Sequence, residues 1–438
     1  MHVPLRHNRG SCQCGEIMRA ALFGRVAAAG MVLWCAGNTA AAQSAWREAY
    51  QSSPATYEAP SESFIKFAKE HWHVPIEQLM ADLTPQPIAG TVRYQVTIQA
   101  EGSQIRIRLS NEEGKTSLKL KAVSVGVAGS DFVAKPGTLH PVTFGGFTSV
   151  SVPAGAPIIS DPIAMPVTGG TELVVSAALA EPAINEGRGG AGFLLAAGDQ
   201  TLNASFEQAA PMIGRPLVTG VSVLSQAAHR VIVTFGDSIT DGNRTAPRAL
   251  HGWSEQLARR LAMRKGRRVY SVTNAGIAGN RLLAAGWGAA GLARLDRDAL
   301  RIEGISHLVL LEGINDINMS GRSPFGISPT VSADDLIAGY RQLIARAHAR
   351  GVKVYIGTLT PNPASEFTTA GKVALRKAVN DWIRQSGEPD AVIDFEAMVR
   401  DPSHPDMFKA EFDSGDHLHP SDQGYTAMGN GIDLSLFP

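Results

Sequence analysis

Near Arg230 the hydrophobic rhythm of the chain changes, and the change dictates two architectures. Beyond it, short apolar runs, "VIVTF" (231–235), "VYSVT" (269–273), "SHLVLL" (306–311), "VKVYIGT" (352–358) and "AVIDF" (391–395), are separated by stretches with helical apolar spacing. Strands that are apolar throughout, alternating with helices, require a parallel sheet covered on both faces. Helix boundaries are legible as well: Ser332 opens "SADD" as a cap, and Gly351 stops "LIAGYRQLIARAHAR". Before Arg230, from about Gly90 to Ala180, the period is two. Val92, Tyr94, Val96 and Ile98 alternate with Arg93, Gln95, Thr97 and Gln99, and Ile105, Ile107 and Leu109 with Arg106 and Arg108. Turn-rich breaks such as "SNEEGK" and "VTGGTE" divide this region into the short strands of a β-sandwich or jelly roll. The glycine-rich stretch Ile184–Gln200 reads as a flexible connection or a loop facing a site.

Open parallel sheets bind ligands beyond the carboxyl ends of their strands. Here those ends carry Ser238 after the first strand, Gly276 and Gly279 after the second, Asn315 after the third, and Asp416 with His419 beyond the fifth. A serine hydroxyl is a weak nucleophile until a base takes its proton, and histidine is the usual base. His419 fits that part, with Asp416 three residues earlier to orient the ring. The N–H groups of Ser238 and Gly279 and the side-chain amide of Asn315 are candidate donors to a developing oxyanion. Each residue also has a plainer reading. Ser238 and Gly279 are common turn residues, Asn315 is a residue that ties down loops, and His417 is a rival base. Glu312 is either a tuning group or a paired structural carboxylate, and Trp287 either lines a pocket or packs. His307 and His348, in a strand and a helix, read as structural residues without partners.

At "FGDSITDG", "NAGIAGN", "GIND" and "DHLHP" the sequence resembles the SGNH or GDSL hydrolase superfamily, with its four blocks in order and Ile239 standing where the motif has leucine. The resemblance runs from about Arg230 to the end. It implies a flavodoxin-like, five-stranded parallel sheet of the SGNH hydrolase type behind an all-β sandwich or jelly-roll domain. It also implies a serine esterase without a cofactor that removes short acyl groups, acetyl first, from a polysaccharide. The whole pattern is similar to secreted bacterial acylhydrolases near the xylanase-associated esterases. A lipase, arylesterase or thioesterase is the neighbouring reading; a carbohydrate-binding protein with an inert hydrolase-like domain is the reading from another class.

The remaining bounds are compositional. Forty Lys plus Arg against 40 Asp plus Glu leave no basic excess for nucleic acid or an anionic membrane. Residues 1–42 read as a signal peptide, with Met18 as a candidate start and cleavage after Ala42, which predicts a secreted or periplasmic protein without a stable membrane anchor. Cys35 raises a lipoprotein alternative, but Trp34 occupies the place where lipid attachment needs a small residue. The three cysteines, Cys12, Cys14 and Cys35, all lie in the segment expected to be removed, so thiol chemistry is excluded from the mature chain. No His, Asp and Glu cluster has metal spacing. The expected organisation is residues 43–225 as a β-sandwich accessory domain and 226–438 as the catalytic domain, with oligomeric state open.

Overall fold

The computed structural model describes residues 44–56, 61–71, 77, 80, 84–185, 187, 192–212, 214, 217–226, 228–242, 252–264, 269–323, 326–363, 365 and 367–438. The signal-peptide reading, and with it all three cysteines, lies outside the described residues. Five strands form the parallel sheet, in the spatial order Tyr270–Gly276, Arg230–Gly236, Ile305–Leu311, Lys353–Gly357 and Ala391–Ile393. Val231, Ile232, Val233 and Phe235 are all fully buried, so both faces of the first strand are covered, as its unbroken apolar run requires. Trp253, Leu257 and Leu261 of helix Trp253–Met263 join this core, as do Leu336, Tyr340 and Leu343 of helix Ala333–His348. That second helix starts at a capping box in which Ser332 and Asp335 satisfy each other's backbone N–H. The last apolar run is shorter than its sequence indicates. Asp394 leaves the sheet to cap helix Phe395–Val399 through a bond from Ala397 N–H, so Phe395 is a helical core residue.

The front part consists of antiparallel sheets. Ser44–Gln51, Val218–Gln226, Ile105–Ser110 and Pro157–Ile159 form a four-stranded sheet. An eight-stranded sheet has Thr91–Thr97, Glu172–Leu179 and Leu118–Ser130 at its centre. The inward residues Val92, Tyr94, Val96, Ile105, Ile107 and Leu109 share one apolar core between the two sheets. Two expectations are corrected. The Ile184–Gln200 stretch is not a simple loop: Phe193–Ala196 is a strand pairing with Thr91–Thr97, and Ala183–Asn185 pairs with Gln86–Ile88. Phe193 and Ala196 supply the buried side chains that draw it into the sheet. Arg93, placed by alternation on the open face, is instead fully buried. Its guanidinium donates to Ser176 Oγ on the neighbouring strand and to the carbonyls of Phe132, Gln200, Asn203 and Ala204, so the 200–204 loop supplies three of its five acceptors. From Ser44 onward the protein clusters as one compact unit. Among the described residues no helix is long and apolar enough to cross a membrane.

Candidate active site

The first strand ends at Gly236, and Asp237 then caps a single turn, Ser238–Asp241, by accepting from Ile239 N–H at 2.9 Å. This turn holds Ser238 at the sheet's carboxyl edge, 6% exposed. The partner comes from the far end of the chain. In the turn before helix Asp422–Gly431, Asp416 Oδ1 accepts from the N–H groups of Leu418 at 3.0 Å and His419 at 2.8 Å, so the carboxylate organises the loop that carries its own histidine. Asp416 Oδ2 lies 2.7 Å from His419 Nδ1, and His419 Nε2 lies 2.8 Å from Ser238 Oγ. Burial works against charge on Asp416, but the hydrogen bond and charge of His419 and the two backbone donors outweigh it and hold the carboxyl well below its usual range. An ionised carboxylate only accepts, so Nδ1 donates to Asp416 and Nε2 faces the serine hydroxyl, placed to take its proton.

The rival histidine points elsewhere. His417 has a left-handed backbone (φ 57°), is 48% exposed at its side chain, and places Nδ1 2.6 Å from Asp413 Oδ2. Asn315 lies in helix Ile314–Met319 and donates from Nδ2 to the carbonyl of Asn280 at 3.0 Å, which commits one of its two amide hydrogens and leaves the other for a ligand. Its neighbour Asp316 accepts from the N–H groups of Leu282 at 2.7 Å and Leu283 at 2.9 Å. The Asn315 and Gly279 segments are thereby fastened to each other, through Asn280 rather than through Ser238. Gly279 has φ 79°, and a Cβ there would run into the Trp287 ring. Trp287 thus packs directly on the glycine, and its ring stands nearly perpendicular to that of Phe64 with ring centroids 5.6 Å apart.

Both histidines read as structural do have partners. His348 Nε2 is 2.7 Å from Asp390 Oδ2, and His307 Nδ1 is 2.8 Å from Ser306 Oγ, with its ring among Tyr270, Tyr355 and Phe437. Glu312 is fully buried with Oε2 3.5 Å from an Arg294 Nη, and burial raises its pKa well above the usual carboxylate value. Sequence reasoning passed over Arg294, Asn280 and Asp298, which lie beneath the site; the available signal was an Arg and an Asp four residues apart in "RLDRD". Among the described residues no group of three His, Cys, Asp or Glu is placed to hold a metal ion.

Residues 234–427 match the model of the GDSL-like Lipase/Acylhydrolase family. No curated protein sequence matches the chain. Similar solved structures include a member of the lipolytic protein G-D-S-L family from Veillonella parvula DSM 2008, 21% identical, covering 48% of this chain and 98% of that one with a TM-score of 0.34. LAE5, an alpha/beta hydrolase enzyme from the metagenome of Lake Arreo, Spain, is 20% identical over 47% of this chain and 94% of its own, with a TM-score of 0.36. The acetyl xylan esterase AlAXEase is 18% identical over 48% of this chain and 100% of its own, with a TM-score of 0.36. The carboxyl-terminal part carries a domain of the GDSL/SGNH hydrolase superfamily, consistent with ester hydrolysis.

Proposed function

We propose that the protein is a serine esterase in which Ser238, His419 and Asp416 act as a triad. The observation that carries this reading is the continuous row Ser238 Oγ to His419 Nε2 at 2.8 Å and His419 Nδ1 to Asp416 Oδ2 at 2.7 Å. Ser238 Oγ attacks the ester carbonyl carbon while Nε2 takes the hydroxyl proton. The carbonyl electron pair moves onto oxygen, and the N–H groups of Ser238 and Gly279 with the free amide hydrogen of Asn315 stabilise it there. When the tetrahedral species collapses, the alcohol leaves with the proton from Nε2. Water then attacks the acyl-Ser238 ester by the same route, releasing the acid and restoring the serine. The family resemblance supports short acyl groups, acetyl first, carried by a polysaccharide, and the leader-like residues 1–42 support action outside the cytoplasm.

Turnover of p-nitrophenyl acetate and labelling by a fluorophosphonate test this. Ser238→Ala should lower kcat by at least ~10³-fold and abolish labelling while the circular dichroism stays native. His419→Ala should be nearly as damaging, the double variant little worse, and His417→Ala mild. Near-normal turnover by Ser238→Ala overturns the mechanism. A folded wild type that neither turns over esters nor takes the label would instead favour an inert hydrolase-like domain.

A further inference from the structure

The Arg294 side chain is fully buried at the junction of helix Gly291–Leu295 and the π-helical turn Asp296–Leu300. An arginine has five N–H donors in a fixed planar fork, and here every one has an acceptor. Nε donates to Asn280 Oδ1 at 2.8 Å. One Nη donates to the Ala275 carbonyl at 2.7 Å and to Asp298 Oδ2 at 3.1 Å. The other donates to the Gly236 carbonyl at 2.9 Å and reaches Glu312 Oε2 at 3.5 Å. The guanidinium carbon sits 3.8 Å from the centre of the Phe235 ring.

The identity of the acceptors matters more than their number. Gly236 closes the strand that leads to Ser238. Ala275 and Asn280 bracket Gly279, and the Asn280 carbonyl receives the Asn315 amide. Glu312 directly follows the strand Ile305–Leu311 that leads to Asn315. One rigid cation therefore ties together the three strand ends that present the three oxyanion donors. Asp298 in turn is shared with Arg297, whose Nε lies 2.6 Å from Oδ1 and one Nη 3.0 Å from Oδ2. Arg297 extends to the Pro54 carbonyl at 3.0 Å and Glu113 Oε1 at 3.4 Å, and the Asp298 carbonyl accepts from Gln51 Nε2 at 2.6 Å.

We infer that Arg294 is the positioning residue of the oxyanion site, and that the Arg297–Asp298 pair holds it in place from the β-rich front part. The inference rests on the serine-esterase reading. A guanidinium that only stabilised the fold would change melting behaviour and leave turnover per folded molecule alone. One that spaces the oxyanion donors must act on kcat, because those donors are engaged in the transition state.

The test compares wild type, Ser238→Ala, Arg294→Lys, Arg297→Gln, Arg297→Lys and, as a buried-arginine control in the front part, Arg93→Lys. Each is measured in the full chain for melting temperature, for kcat and KM on p-nitrophenyl acetate, and for affinity toward a trifluoromethyl ketone that forms a tetrahedral adduct with serine. Arg294→Lys keeps the charge but loses the planar fork. Its kcat should fall on the order of 10²-fold with KM nearly unchanged, and ketone affinity should fall in step. Arg297→Gln should lower kcat by about 3- to 30-fold, with Arg297→Lys recovering most of it. Arg93→Lys should lower the melting temperature and leave kcat alone. A folded Arg294→Lys with wild-type kcat overturns the inference. If that variant does not fold, Arg297→Gln decides, and wild-type kcat there overturns it. An inactive wild type, or an active Ser238→Ala, overturns the esterase reading itself and is distinguishable from either result.

Discussion

Asp237, next to the candidate nucleophile, is held in a state unusual for an aspartate. It is 1% exposed, Oδ1 is committed to Ile239 N–H, and Oδ2 has no hydrogen-bond partner among the described residues. Burial pushes its pKa up to about 7, opposed by the Ile239 N–H and reinforced by the charge of Asp316; burial likewise pushes Asp316 up to about 6. A carboxyl raised in the folded state holds a proton that the unfolded chain has already released. Stability from this source is complete below the ordinary carboxylate value of 3.8 and is lost as pH rises towards about 7. Asp237→Asn preserves the Oδ1 acceptor and removes the titration. The variant should therefore gain on wild type steadily between about pH 4 and 7, and the difference between the two melting curves cancels the titrating groups that do not interact with Asp237. Parallel melting temperatures across that range would show that Asp237 ionises normally.

The loop after the second strand shows what an element contributes beyond its residues. Gly279 combines a left-handed backbone with the Trp287 ring where a Cβ would go, so Gly279→Ala is strained twice: by about 1–2 kcal/mol from its φ, and further by displacing the indole. Because Asn280 is fastened to both Arg294 and Asn315, that displacement shifts the loop's donor relative to the other two. kcat should drop on the order of 10²-fold with a shifted tryptophan emission, and a wild-type kcat would remove Gly279 from the oxyanion site. The Ser238, Gly279 and Asn315 positions were legible because strand ends announce themselves by a break in period and residues there share a rim, whereas Asp416 and His419, in a turn ahead of a helix, were legible from their spacing of three residues. Arg294 was not legible. A charged residue in a short helix reads as solvent-facing, and its acceptors come from strands far apart in sequence. Arg93 was hidden for the same reason, since three of the four carbonyls that satisfy it belong to a loop more than a hundred residues away. The Phe193–Ala196 strand was obscured by the glycines before it, whose turn propensity masks a short buried pair.

At the scale of the whole molecule, the two architectures are joined more tightly than a tethered accessory module would be. Only three residues separate strand Val218–Gln226 of the front sheet from strand Arg230–Gly236 of the parallel sheet. Strand Ser44–Gln51 of the front sheet packs against Tyr270–Gly276 of the parallel sheet. Ser271 Oγ donates to the Glu48 carbonyl at 2.9 Å, Thr273 Oγ1 to Gln51 Oε1 at 3.0 Å, and Glu48 N–H to the Glu303 carbonyl at 3.0 Å. Each such bond contributes roughly 1 kcal/mol while intact, and leaving its buried partner unsatisfied costs about 1–3 kcal/mol. A fragment of residues 226–438 keeps the whole Ser238, His419 and Asp416 row but loses these bonds, the packing of strand Ser44–Gln51 against Tyr270–Gly276, and the Gln51, Pro54 and Glu113 contacts to Asp298 and Arg297. It should melt well below the full chain, self-associate at micromolar concentration, and turn over even p-nitrophenyl acetate more slowly. That small ester isolates the effect, because it needs no polysaccharide-binding surface from the front part. A monomeric fragment with the full chain's melting temperature and kcat would show that the front part serves only to bind a larger substrate, whereas recovery of kcat on adding back the separately produced residues 43–225 would show that the interface supports the chemistry.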